Sequence, residues 1–538
     1  MALLSVSRET NERFDNDAMT TERMRECDVK IQIVTVAHAY QCNKKRKTQV
    51  KIQVHTERKM NDTFMKEKPI IPLVAKMSLP VVLSMIINAL YNFVDSIFVS
   101  KISEDAMTAI SLVFPVQNLS IAVGVGFGVG ISAAVSFYMG AKKYDAANRS
   151  AALGLILGTV HGVILAAVSA GCIAPFVKLF TKSDVISGYA LDYFYVVVAF
   201  APVITLTMAF EKLFQSVGKM KTTMFCMALG AVVNIALDPL FIFVAGWGVK
   251  GAAVATGIGQ TLSLVCYIVL FFKTKLGIKA KLGKKTEEKI VKKLYFVGVP
   301  ATLNLALPSF MLIALNGILT VFSETYMLIL GVYYKLQTFL NFAINGIVQG
   351  IRPLVGYNLG AGRDDRVMSI FKVSLVTSLA IMVVGTILCL AIPSQLIGIF
   401  TDNPQTISDG AFAVRVMSAG FIVSASGVVI CGLFEGLGMG IPSLVISIIR
   451  YVLIIPIALA ASKIVGATGV WHAFWITEII AFFVSWICFY FCYYKKAKVR
   501  IAECKKVRET SAEETLVAEN PVENQTVENI AVEENNVE

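Results

Sequence analysis

Apolar residues run through this chain in long blocks separated by short stretches of charge, from about residue 78 to residue 492. A helix rises 1.5 Å per residue, so about 20 apolar residues cross the roughly 30 Å of hydrocarbon in a bilayer. The pattern predicts twelve membrane-spanning helices. They lie near 78–99, 106–136, 151–175, 186–210, 222–244 and 251–272, then 296–321, 326–351, 371–392, 411–434, 442–462 and 469–492. The two ends of the chain differ from this. Residues 1–69 mix charged and polar residues, carry KKRK at 44–47 and hold no apolar segment of the kind a signal peptide needs. A disordered cytoplasmic extension is expected there. Residues 501–538 are acidic, with repeated VEN units, and a second disordered cytoplasmic segment is expected. The expected layout between them is an N-lobe over 70–273, a basic cytoplasmic connector over 274–295, and a C-lobe over 296–500.

The halves repeat at a constant shift of 220 residues. Pro80 aligns with Pro300, Gln117 with Gln337, Gly126 with Gly346 and Gly130 with Gly350. MGAKKYD at 139–145 aligns with LGAGRDD at 359–365, and LFQSVG at 213–218 with LFEGLG at 433–438. One offset held over about 140 residues points to duplication. Each half has an even number of spans, so both keep one orientation and are related by a pseudo-two-fold axis along the membrane normal. The expected fold is an all-α polytopic membrane protein of two six-helix bundles. A cavity between such lobes suits alternating access better than a fixed pore.

Loop charge orients the chain. With the termini inside, the inner loops hold Lys142, Lys143, Arg149, Lys212, Lys219, Lys221, Arg363, Arg366, Lys372 and the nine lysines of 273–293. The outer loops hold only Lys101, Lys178, Lys182, Lys250 and Lys463. Cytoplasmic loops collect Lys and Arg, so both termini are expected inside. The same distribution explains the net charge of +12 without nucleic acid as a partner. Composition agrees: 56% of residues are hydrophobic and 16% charged, with a mean hydropathy of +0.68. Soluble domains carry about 25% charged residues. Seven of the ten cysteines sit inside apolar spans, no CxxC occurs, and His161 and His472 are isolated. No cofactor is expected. The chain holds no nucleotide loop, HExxH or nucleophile elbow, so no enzyme is expected either.

A charge at bilayer depth costs at least about 2.5–3.5 kcal/mol on insertion scales, which makes intramembrane ionisable residues candidates for function. On the first span, Asn88, Tyr91, Asn92 and Asp95 form one polar stripe. Asn234 and Asp238 share a face of the fifth span, and Pro239 removes the donor for the carbonyl of Ile235. Thr256 lies on the sixth span at similar depth. Asp95, Asn234, Asp238 and Thr256 therefore suit a proton relay or a small oxygen-ligated cation such as Na⁺. Two carboxylates in low dielectric resist ionising together. For Asn88, Asn92 or Thr256 alone, a bond to a neighbouring helix would serve as well. On the eighth span, Lys335 and Gln337 beside Tyr333 and Tyr334 are expected to face the cavity. Arg352 and Glu435 lie near inner span ends, Asp192 near an outer one, and Glu478 deeper on the twelfth span.

LYNFVDSIFVS after a proline, FGVGISAAVSFYMGAKKYDAA and NIALDPLFIFVAGWGVKGAAVAT resemble the MATE (multidrug and toxic compound extrusion) transporters. GVYYKLQTF and QGIRPLVGYNLGAGR in the second half are similar to the MepA-like bacterial branch of that family. The resemblance covers about residues 70–495. It implies a V of two six-helix bundles in a bacterial cell membrane, and efflux of amphipathic, cationic drugs or toxic organic compounds driven by H⁺ or Na⁺. It also implies that the coupling ion is held at the positions of Asp95, Asn234, Asp238 and Thr256. A second branch uses acids on spans seven and ten. Span seven has none here and span ten only Glu435, while Asp95 maps to Leu315 in the repeat, so the site is expected in the N-lobe alone. The expected partners are the bilayer and small amphipathic molecules, with a single chain sufficient for function. The rival expectation is a flippase for a lipid-linked oligosaccharide or another amphipathic lipid precursor. It would need a cationic cavity between the lobes, for which Lys335 and Arg352 are the candidates.

Overall fold

The computed structural model describes residues 64–274, 276–282 and 287–501. The disorder expected over most of 1–69 and 501–538 concerns residues outside that range. Among the described residues every regular element is helical. The first half comprises α1 (Ile70–Ser100), α2 (Glu104–Gly140), α3 (Tyr144–Phe180), α4 (Asp184–Ala199), α5 (Ala201–Ser216), α6 (Met220–Pro239) and α7 (Gly248–Lys273). The second comprises α8 (Glu287–Thr320), α9 (Glu324–Gly360), α10 (Asp364–Ala391), the short α11 (Pro393–Gly398), α12 (Pro404–Ser418), α13 (Phe421–Gly436), α14 (Gly440–Val452), α15 (Ile454–Val465) and α16 (Thr468–Phe489). Among the described residues ten spans are long and apolar enough to cross a bilayer, and two bent pairs, α4–α5 and α12–α13, bring the number to twelve when each is taken as one span.

Helix starts repeat with the sequence. Ser103 caps α2 by accepting from the Ala106 amide at 3.0 Å, and Ser323 caps α9 by accepting from Thr325 at 3.2 Å. Ser183 before α4 and Asn403 before α12 do the same at the next repeated position. Each side chain satisfies an amide that the helix leaves without a partner. The bends repeat too, at 48° around Phe200 and 50° around Gly420, where the sequence predicts single continuous spans. Pro202 in the first turn of α5 lacks the amide needed to continue α4. The eleventh span also breaks, at Leu453, because Pro456 cannot donate to the carbonyl of Val452. Span seven begins at Glu287, inside the region expected to be connector.

The lobes meet through paired glycines that obey the repeat. A side chain on Gly126 would collide with Thr302, and one on Gly346 with Val82, which is the repeat mate of Thr302. Gly140 lies against the carbonyl of Tyr357, and Gly360 against the carbonyl of Phe137, its mirror. Spans two and seven, and spans eight and one, thus touch backbone to backbone. The Gly140–Gly360 crossing sits at the end carrying Lys142, Lys143 and Arg363, the basic end of the bundle. There Lys293 also lies 3.7 Å from the ring centroid of Phe137.

Candidate functional site

In the N-lobe, α6 and α7 cross where Gly230 and Gly259 bring their backbones together. Ser263 donates to the Cys226 carbonyl at 3.0 Å, and Tyr267 to that of Thr223 at 3.3 Å, which fixes the crossing. One turn further along, the crossing brings Asn234 to Thr256. Asn234 Nδ2 lies 3.3 Å from Asp238 Oδ1 and 3.2 Å from Thr256 Oγ1. Asn234 and Asp238 are buried. Immediately after Asp238, Pro239 leads into a π turn over Leu240–Val244, so the helix is irregular beside the carboxylate.

Asp95 on α1 interacts electrostatically with Asp238. Asp95 Oδ1, Asn234 Oδ1 and Asp238 Oδ2 are all buried without a hydrogen-bond partner. Buried polar oxygens are normally satisfied, and three together mark a place for a proton or cation. Among the described residues no Lys or Arg pairs with either aspartate. Tyr91 on α1 and Tyr193 on α4 lie within electrostatic range of both aspartates, and Tyr193 is hydrogen-bonded to Gln117 of α2. Tyr193 and Gln117 were not legible as neighbours of Asp95. The only sequence signal was the alignment of Gln117 with Gln337.

The rest of the predicted stripe is less buried. Asn88 and Asn92 are exposed, and the Asn92 amide donates back to the Asn88 carbonyl at 2.8 Å. Asn92 is also hydrogen-bonded to Tyr91, the residue that interacts with both aspartates.

A second polar region lines a cavity of about 290 Å³, walled mainly by the C-lobe and closed on one side by Met85, Val125 and Val129 of the N-lobe. Gln337 lines it, together with Tyr334, Asn341 and Asn345 of the same helix face. Lys335 does not. It is exposed, with its ammonium 5.4 Å from the Phe400 ring centroid. One residue along a helix turns the side chain by about 100°, so the neighbour of a cavity-lining tyrosine leaves the cavity. Glu435 is a cavity residue: it pairs with Arg352 and accepts from Asn304 at 3.0 Å and Ser443 at 3.2 Å. Glu478 accepts from Arg450 Nε at 2.7 Å. Arg450 interrupts the apolar run VISIIRYVLII, and a charge at that depth is the signal in the sequence for this pair.

Lys212 is a further correction. Its sequence position suggests an inner loop, yet it is 3% exposed on α5, 3.0 Å from Glu211 and 2.6 Å from Gln349 Oε1 of the other lobe. A charge with partners in both lobes ties them together. Breaking a buried pair from one side costs about 3–5 kcal/mol. Lys212→Met should therefore destabilise the protein strongly in thermal unfolding, whereas the double substitution with Glu211→Met should recover most of the loss. Equal losses in both would show that the pair is not the source.

Known proteins with similar sequences and folds fit this geometry. The MatE family matches residues 80–240 and again 300–460, two segments at the offset of the internal repeat. The multidrug export protein MepA of Staphylococcus aureus (strain N315) is 24% identical over 430 residues, covering 79% of this chain and 95% of its own length. A MOP superfamily transporter from Pyrococcus furiosus Vc1 (DSM3638) superposes with a TM-score of 0.76 at 23% identity, covering 83% of this chain and 98% of its own. A multidrug resistance MATE family transporter of the MOP superfamily, solved in an outward-facing conformation, gives a TM-score of 0.75 at 23% identity over 82% of this chain and 98% of its own. The fold shared with such structures is the twelve-span V of two bundles.

Proposed function

This chain belongs to the MatE family, and from that premise we propose that it is a cation-coupled antiporter, exporting amphipathic organic compounds by alternating access. The observation that carries the proposal is the convergence of three unpartnered buried oxygens, on Asp95, Asn234 and Asp238, in the N-lobe. With Thr256 they supply the oxygen donors a Na⁺ would take, and either carboxylate could instead hold a proton. A bound H⁺ or Na⁺ places positive charge between two carboxylates that otherwise repel.

Relief of that repulsion lets α1 shift against α6, on which it packs. The same helix carries Ser78 and Val82, which seat Gly350 and Gly346 of the opposite lobe. A movement of α1 at Asp95 is thereby passed to the contact between the lobes. Coupling needs the ion and the exported compound to favour different lobe arrangements. We place the basic end of the bundle and both termini on the cytoplasmic side of a bacterial membrane, with a single chain as the working unit. The expected substrates are amphipaths that carry a basic group, drawn by aromatic and acidic surfaces. The flippase alternative needs a cationic cavity, but Arg352 and Arg450 are each paired with a glutamate and Lys335 lies outside.

The test is uptake of two fluorescent amphipaths, one cationic and one zwitterionic, into inverted vesicles, with pH and Na⁺ gradients imposed separately. One gradient should accelerate uptake several-fold. No acceleration by either would overturn the antiporter.

A further inference from the structure

Among the described residues, the C-lobe cavity is lined by four charged side chains, and they balance. Arg352 pairs with Glu435, and Arg450 with Glu478, all four lining one space. The pairs are well buried: Arg450 and Glu478 side chains are 9% and 12% exposed, Arg352 and Glu435 17% and 4%. Neither glutamate serves an unpaired cation site, in contrast to the two aspartates of the N-lobe. Several lining atoms are nevertheless unsatisfied. Arg352 Nε, Asn304 Oδ1, Asn341 Oδ1 and the Thr477 hydroxyl are buried without a hydrogen-bond partner, and Thr477 is only 1% exposed. Tyr334, Tyr451 and Phe342 supply aromatic wall between these groups.

Such a cavity has both donors and acceptors to spare but no net charge to neutralise. A ligand with a net charge would leave that charge uncompensated in low dielectric. A ligand carrying one cationic and one anionic group can exchange contacts with the two ion pairs and keep the total at zero. We propose that the C-lobe cavity is a substrate site selective for zwitterionic aromatic amphipaths, whose anionic group meets Arg352 or Arg450 and whose ammonium meets Glu435 or Glu478. The proposal rests on the transporter reading and sharpens it. The N-lobe handles the coupling ion, while the C-lobe selects dipolar, electroneutral cargo over permanent organic cations.

Equilibrium binding to purified full-length protein, read by dansyl fluorescence, tests it with three probes that share one fluorophore. Nε-dansyl-lysine is a zwitterion, dansylcadaverine is its cationic counterpart without the carboxylate, and Nα-acetyl-Nε-dansyl-lysine is the anion. The zwitterion should bind at least about tenfold more tightly than either of the others. Glu478→Gln leaves Arg450 unpaired and should move preference toward the anion. Arg450→Gln leaves Glu478 unpaired and should move it toward the cation. Opposite shifts of this kind do not arise from misfolding, which weakens all three probes together. Dansylcadaverine binding as tightly as the zwitterion, or both variants shifting in the same direction, overturns the proposal. Binding selectivity without gradient-driven uptake in vesicles would instead overturn the transporter reading, so the two failures are separable.

Discussion

An Asp238→Asn protein is expected to fold, bind exported compounds and lose gradient-driven efflux. Asn has nearly the shape of Asp and keeps an oxygen for the Asn234 amide, which lies 3.3 Å away. What disappears is one of two buried carboxylates with no cationic partner among the described residues. Stability should hold or rise, because an uncompensated buried charge is costly. Efflux driven by the coupling gradient should drop by about 10²-fold, the upper range of typical coupling between linked sites. Asp95→Asn should behave alike, since its carboxylate belongs to the same pocket.

The direction of the ion effect follows from the antiport scheme. If H⁺ is coupled, lowering pH should weaken substrate binding to the wild type and leave Asp238→Asn unaffected. If Na⁺ is coupled, added Na⁺ at constant pH should do so. Wild-type efflux in both Asp variants would exclude this pocket as the coupling site.

A comparably large effect is expected from Gly360→Leu. The residue meets the Phe137 carbonyl with no room for a side chain, and its mate Gly140 meets the Tyr357 carbonyl. Overpacking at such a point costs about 1–3 kcal/mol, and 1.4 kcal/mol is tenfold in an equilibrium. The arrangement closed at the basic end should therefore lose population by roughly one to two orders of magnitude, with efflux falling accordingly. Spin labels at Asp145→Cys and Lys372→Cys, in a background without other cysteines, should report a longer distance across that end. Gly317 has open space around it, so Gly317→Leu serves as the control and should leave the distance unchanged. An unchanged distance in Gly360→Leu would mean that the glycine crossing does not hold the lobes together.

The residues proposed for coupling stand out in the sequence because their chemistry is local. Asn234 and Asp238 are four apart on one helix, and Pro239 marks the irregular end beside them. Asp95 and Thr256 follow from depth along neighbouring spans. Helical spacing places Asn88 and Asn92 with Asp95; both are exposed, and Asn92 meets the pocket through its hydrogen bond with Tyr91. The expectation for Lys335 failed. Insertion cost says that a lysine in a span should find a polar environment, but does not say which one, and here it lies over Phe400.

The C-lobe ion pairs show where pattern reading stops. Glu435 and Arg352 are 83 residues apart, and Arg450 and Glu478 are 28 apart, on different helices. No spacing rule links them; only the packing of α9, α13, α14 and α16 does. Lys212 looked like a loop charge because it closes an apolar run, whereas α5 continues past it and turns it into the other lobe.

By itself the sequence determined the twelve-span plan and the duplication at 220 residues, and it brought forward the four N-lobe residues proposed for coupling. These depend on hydropathy and on helical periodicity, which act along the chain and need no knowledge of neighbours. Tertiary structure alone decided the rest: the glycine crossings that join the lobes, the neutral pairing of the cavity charges, and the direction in which Lys335 and Lys212 point. Each depends on which face of one helix meets which face of another. That choice is made by close packing between residues far apart in the chain, where apolar periodicity carries no information.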